Sequence, residues 1–206
     1  VDWMGMKATV FGDVLGELET DYHGIGATRD SAMVAHAEAW VAAADTTPVF
    51  VMLFFDGTHF NYTYPPRSAR FAPVWDGGSS VKAARAAPEL ILRRARNSAY
   101  EVDWKLDDFL TWFAQRRGRA PLVLVTGDHG EEFREHGHIA HGSAVTNEQI
   151  HVPMVVLGEG VPRGRFEGVT SHIDLVPTLF ALLGDRHPPQ AYADGISMYD
   201  VLPGRF

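Results

Sequence analysis

Apolar and polar positions follow two rhythms along this chain, and the switches between them sketch its elements. Between Thr28 and Ala44, the residues Met33, Ala37, Trp40, Val41 and Ala44 recur at i, i+4, i+7, i+8 and i+11. That spacing gathers them on one helical face, with Thr28 as the expected N-cap and His36 off the stripe. After Pro48 the run Val49-Phe50-Val51-Met52-Leu53-Phe54-Phe55 has no polar break. A strand buried on both faces is expected there. A second helix is expected over Ser98 to Arg117. Ser98 and Glu101 have capping-box spacing, Val102, Leu106, Phe109 and Phe113 form a core stripe, and Asp103 and Asp107 face solvent. Arg116 and Arg117 suit the negative helix end, and Gly118 stops it. Met4 to Gly12, Val123 to Thr126 and Val152 to Leu157 read as short strands. Leu175 to Leu183 reads as a helix capped by Asp174, with Pro177 in its first turn and Gly184 at its end. Strands alternating with amphipathic helices predict an α/β fold with a mainly parallel sheet and helices on both faces.

The densest chemistry follows the strand at Val123. There the chain reads Thr126-Gly127-Asp128-His129-Gly130-Glu131-Glu132, with His136, His138 and His141 close behind. Groups just past the carboxyl end of a strand converge on the crevice where α/β proteins bind ligands. Asp128 offers a hard carboxylate and His129 an imidazole, a pairing that favours manganese or zinc over calcium. Glu131 and Glu132 are weaker candidates, as partners orienting His129 or as ordinary charged turn residues. His136 and His138 either structure the loop or touch a ligand; His151 and His172 read as structural. A second loop, Asp56-Gly57-Thr58-His59-Phe60-Asn61-Tyr62-Thr63-Tyr64-Pro65, follows the Val49 run. His59 is placed there to hydrogen-bond an anionic oxygen or to protonate a leaving group. Arg93, Arg94 and Arg96 read as a solvated helix face, with a phosphate or anionic lipid surface as the sharper alternative.

Composition narrows the choices. At 206 residues the chain is long enough for one domain with a sizeable core. Its net charge of −8 argues against a nucleic-acid partner, which needs a basic footprint. Zero cysteines remove disulfides, zinc-thiolate sites and a cysteine nucleophile. No apolar run is long enough to span a bilayer. Ten histidines are many for this length and fit metal or phosphate chemistry.

Several blocks in fixed order carry a family resemblance. Thr126 to Glu132, Glu135-His136-Gly137, His141-Gly142, Ile150 to Val156 and Ser171 to Leu179, with Asp174-Leu175-Val176-Pro177-Thr178-Leu179 inside the last, together resemble the sulfatase family of the alkaline phosphatase superfamily. The resemblance implies an alkaline-phosphatase-like fold, truncated, with residues 1–206 forming one partial domain that lacks the N-terminal segment carrying the nucleophile. It implies Asp128 and His129 as ligands of a divalent metal (Mn, Zn, Mg or Ca), with His59 and His141 contacting the substrate or its leaving group. The implied activity is a sulfuric or phosphoric ester hydrolase or a phospho-headgroup transferase, extracytoplasmic or periplasmic, with a membrane-anchored parent as one option. Two departures matter. Gly12-Asp13-Val14-Leu15-Gly16 stands where sulfatases carry Gly-Lys-Trp-His, and His141-Gly142 replaces their Lys-Gly. Both lean toward relatives that move phospho-headgroups on envelope lipids. Thr63-Tyr64-Pro65-Pro66-Arg67 outlines a formylglycine signature, but threonine cannot be oxidised to that aldehyde. With no nucleophile assigned, the chain alone is expected to be inactive and to hold metal weakly. The alternative is a degenerate relative that binds without turnover.

Overall fold

The computed structural model describes residues 26–200. The strand expected at Met4–Gly12, the Gly12–Gly16 departure and the tail from Val201 lie outside the described residues. In chain order the elements are α1 (Gly26–Ala43), a 3-10 turn (Pro66–Ser68), α2 (Ser80–Ala83), α3 (Pro88–Arg117), β1 (Val123–Thr126), β2 (Glu132–Phe133), β3 (Ile139–Ala140), α4 (Asn147–Ile150) and β4 (Met154–Leu157). A 3-10 turn (His172–Asp174), α5 (Leu175–Leu182) and two more 3-10 turns (Pro189–Ala191, Met198–Asp200) follow.

Helix α1 already runs at Gly26, so Thr28 lies in its first turn and does not cap it. The amide of Ala27 is satisfied from outside, by the hydroxyl oxygen of Thr63 at 2.8 Å. The apolar face works largely as its spacing predicts. Ala37 and Val41 are buried against Phe109 and Phe113 of α3, while Trp40 stays partly exposed.

Helix α3 starts at Pro88, well before Ser98, with proline in the first turn where its missing N–H costs little. Ser98 and Glu101 are therefore mid-helix, and the capping box expected there does not form. Both side chains are buried and bond to other segments. Ser98 Oγ donates to the carbonyl of Gly57. Glu101 accepts from Arg67 at 2.6 Å, from Ser68 at 2.5 Å and from Lys105. Asn97 accepts from the amides of Arg70 and Phe71 and donates to the Phe71 carbonyl. Asn97, Glu101 and Lys105 thus form a buried polar stretch on the same helical face that continues into Phe109 and Phe113. Gly118 closes the helix in a left-handed conformation at φ 68°. The arginines are less solvated than expected. Arg94 donates to the Asn61 carbonyl at 2.6 Å, and Arg93 lies near the carbonyls of Ala72 and Pro73.

The Val49–Phe55 run is not a strand buried on both faces. Val49, Val51 and Leu53 pack on the α1–α3 core, whereas Phe50, Met52 and Phe54 are 77%, 66% and 59% exposed. Strand β4 shows the same one-sided burial, with Val155 and Leu157 exposed. Helices and strands do alternate, but the sheets are small. Among the described residues β1 pairs with β4, and β2 pairs antiparallel with β3, Glu132 opposite Ala140 and Phe133 opposite Ile139.

The chain divides into two compact units. The first holds the residues up to Pro121 with Val125–Val155, and the second holds Leu122–Leu124 with the chain from Val156. In the second unit, Asp174 does more than cap. Its Oδ2 accepts from the Ser171 amide at 2.9 Å and its Oδ1 from the Ile196 amide at 3.0 Å. Thr178 donates to the Asp174 carbonyl and accepts from the Met198 amide, so α5 and the 195–198 segment are tied together. Gly195 is required at this junction, because a Cβ there would sit 2.0 Å from the Ile173 carbonyl oxygen.

Candidate active site

Strand β1 delivers the Gly127–Glu132 loop, and local contacts fix its path. A Cβ on Gly130 would fall 2.0 Å from the Glu148 carbonyl oxygen, while the Gly130 amide donates to Gln149 at 2.8 Å. Only glycine permits that approach. Asp128 then turns one oxygen inward, Oδ1 accepting from the His129 amide at 2.9 Å. Its Oδ2 lies 3.7 Å from His129 Nε2. His129 Nδ1 sits 3.0 Å from the Gly130 carbonyl. A carbonyl only accepts, so this contact places the proton on Nδ1 and leaves the Nε2 lone pair free beside Asp128.

Glu131 points elsewhere. Its Oε1 accepts from His141 Nδ1 at 2.5 Å, and its Oε2 accepts from the hydroxyl of Tyr62. The His141 ring lies against the His129 ring, with centroids 3.6 Å apart, and meets the His59 ring edge-on at 6.1 Å. Rings of His59, His141 and His129 therefore succeed one another, and Asp128 joins through His129. His59 is exposed, His129 and His141 half-buried, and Asp128 more than half exposed. Nothing in the sequence distinguishes Tyr62 from its neighbours Phe60 and Tyr64, yet it is 1% exposed and central. Burial pushes its phenol well above the ordinary value, and the Glu131 charge adds to the rise. Tyr62 is thus a permanent hydrogen donor.

The His59 loop is held from two helices. Asp30 of α1 accepts from the amides of Asp56 at 2.7 Å and Gly57 at 2.9 Å, and Ser98 of α3 donates to the Gly57 carbonyl. Arg29 pairs with Asp56. Burial raises the Asp30 carboxyl above its usual range, against the lowering pull of those two amides.

Glu132 is fully buried and organises the loop beyond. Its Oε1 accepts from the amides of His136 (2.9 Å) and His138 (3.0 Å), and its Oε2 from Thr146 (3.0 Å) and Gln149 (3.1 Å). Burial alone raises this carboxyl. The donors from His138, Gln149, His136 and Thr146 outweigh it and bring the pKa down to about 2. The His136 ring pairs with Glu148 at 3.0 Å and its backbone serves the loop, as does that of His138. His151 ends α4 with its amide on the Asn147 carbonyl, and His172 stands at the turn before α5.

A divalent cation fits the Asp128–His129 pair. Two atoms bound to one cation at about 2.0–2.2 Å sit at most about 4 Å apart, and Asp128 Oδ2 and His129 Nε2 are 3.7 Å apart. His129, Glu131 and His141 also place ligand-type atoms within 4.8 Å of one another. In that trio His141 Nδ1 and Glu131 Oε1 already satisfy each other, while both imidazoles keep their Nε2.

The profile of the Sulfatase family matches residues 5–185. The chain belongs to that family. Among curated relatives, the low-salt glycan biosynthesis sulfotransferase Agl7 of Haloferax volcanii is 26% identical over 78% of this chain and 39% of its own length. The Kdo(2)-lipid A phosphoethanolamine 7''-transferase of Salmonella typhimurium is 32% identical over 52% of this chain and 18% of its own. An uncharacterised Escherichia coli sulfatase, YidJ, is 33% identical over 40% of this chain and 14% of its own. The chain thus spans well under half the length of these relatives. A solved structure, the C-terminal periplasmic domain of phosphoethanolamine transferase EptC from Campylobacter jejuni, aligns with a TM-score of 0.46 at 20% identity, covering 52% of this chain and 36% of that one. Among the described residues, no helix is long and apolar enough to cross a membrane.

Proposed function

We propose that this chain supplies the metal-facing and substrate-facing part of a metal-dependent ester hydrolase or phospho-headgroup transferase acting on sulfuric or phosphoric esters. The observation that carries the reading is the 3.7 Å separation of Asp128 Oδ2 and His129 Nε2, with His129 Nδ1 turned to the Gly130 carbonyl. Asp128 and His129 would hold a divalent cation, which would neutralise charge on the non-bridging oxygens of the ester, and His59 and His141 would face the ester oxygens or the leaving group. We take the metal as zinc or manganese, given one carboxylate and one imidazole. Residues 1–206 are read as one partial sulfatase-like domain whose complete form carries a mainly parallel sheet with helices on both faces. In the first unit Phe50, Met52 and Phe54 leave one side of their run exposed, which supports a further layer over it. The likeness to the lipid A phosphoethanolamine transferase supports a lipid headgroup as substrate; an extracytoplasmic site on a membrane-anchored parent belongs to the same proposal.

Two ligands hold a cation weakly, so the 206-residue chain alone is expected to bind zinc without turnover. The test is calorimetric zinc titration of wild type, Asp128→Ala and His129→Ala, with nitrophenyl phosphate and nitrophenyl sulfate assays beside it. Binding lost in both variants supports the proposal. Zinc uptake unchanged by either substitution rejects it.

A further inference from the structure

We infer that Glu131, braced by Tyr62, is a positioning residue that fixes His141 in its Nδ1–H form and presents the Nε2 lone pair to the site. The inference relies on the proposed reading of the site for its purpose, but not for its test.

A carboxylate only accepts, so the 2.5 Å contact between Glu131 Oε1 and His141 Nδ1 needs its proton on the imidazole. The other oxygen, Oε2, is taken by the Tyr62 hydroxyl. Glu131 is thereby held at both oxygens, and its side chain is only 16% exposed. Tyr62 is itself anchored in the first unit, packed with Phe60, Trp75 and Phe133. The His141 ring has little freedom to turn over, since one face lies against His129 and its edge meets His59.

Free histidine in water favours the Nε2–H form, which offers a donor at the outer nitrogen. Glu131 imposes the opposite form. Neutral His141 then accepts at Nε2. At Nε2 it can accept a hydrogen bond from the O–H of water or an acceptor alcohol, while the Nδ1 proton stays in its bond to Glu131. His59 lies edge-on to His141.

The test reads the tautomer directly, in the 206-residue chain labelled with nitrogen-15. Long-range proton–nitrogen correlation spectra are recorded above the usual imidazole range with a chelator present, and His141 is assigned by the pair of resonances lost in His141→Gln. Wild type is expected to show a pyridine-like shift at Nε2 and a pyrrole-like shift at Nδ1. In Glu131→Ala the two shifts exchange. In Glu131→Gln, whose amide oxygen still accepts, the wild-type pattern returns. An Nε2–H pattern in wild type, or one unchanged in Glu131→Ala, overturns the inference. If Glu131→Ala loses its dispersed spectrum, wild type and Glu131→Gln still decide by the same criterion. Zinc titration is independent of this readout, so the tautomer and the metal reading fail separately.

Discussion

Ser98, buried near the middle of α3, donates its hydroxyl proton to the carbonyl of Gly57, two residues ahead of His59. The long helix therefore sets the position of a loop that bears a candidate substrate contact. Ser98→Ala removes one of two donors to that carbonyl, which keeps the Thr63 amide at 3.0 Å, and is expected to destabilise the protein by about 0.5–1.5 kcal/mol. Asn97→Ala, which removes the acceptor of the Phe71 amide and leaves the Arg70 amide with the Ser68 carbonyl alone, is expected to cost about 1–3 kcal/mol. Urea unfolding followed by circular dichroism measures both.

The α1–α3 core offers a purely apolar comparison. Phe109 is 4% exposed and packs with Val41, Ala37 and Phe113. Phe109→Ala is expected to cost about 3–5 kcal/mol, from lost burial and the cavity left behind. The same unfolding experiment checks it, and a cost below that of Ser98→Ala contradicts this placement of the core.

Acid stability depends on Glu132. Its folded pKa of about 2 lies below its ordinary value of 4.5, so the carboxylate contributes stability that is complete above that ordinary value. The contribution shrinks as pH falls from about 4.5 toward 2, where the folded state at last takes the proton. Glu132→Gln is expected to lower the melting temperature at neutral pH and to flatten its decline across that acid window. Melting curves of both proteins from pH 7 to pH 2 show whether the slopes differ.

Gly130→Ala introduces a methyl group 2.0 Å from a backbone oxygen, which cannot move as a side-chain tip can. The loop must shift, at a cost of about 1–3 kcal/mol. The shift carries Asp128 and His129 with it, so zinc affinity is expected to fall although neither ligand has changed. Calorimetry on the folded variant distinguishes that loss from simple unfolding.

Much of the site is legible in the sequence because one loop carries it. Gly127 to Glu132 names its own strand end, turn and ligand-type side chains, and the spacing of Ala37, Val41, Phe109 and Phe113 marks the core. Other parts are ambiguous for physical reasons. Ser98 and Glu101 have the spacing of a helix start, and only the upstream extension to Pro88 turns them into buried partners of other segments. A signal was present: Asn97, Glu101 and Lys105 continue at four-residue spacing into Phe109 and Phe113, as a buried face does. In Val49–Phe55 both parities are apolar, so alternation cannot show that one face stays exposed. Glu131 and Glu132 are adjacent and identical in kind. Their opposite roles, one on His141 and one inside the loop, follow from which way each side chain leaves the backbone.

The most direct measurement is a cobalt(II) titration of the wild-type chain followed by visible absorption, repeated on Asp128→Ala and His129→Ala. Cobalt reports its ligands through the energy and intensity of its bands. The Asp128–His129 pairing predicts one site in wild type, with affinity falling at least tenfold in each variant and the bands altered. Titrations that superimpose in all three proteins contradict a cation held between Asp128 Oδ2 and His129 Nε2.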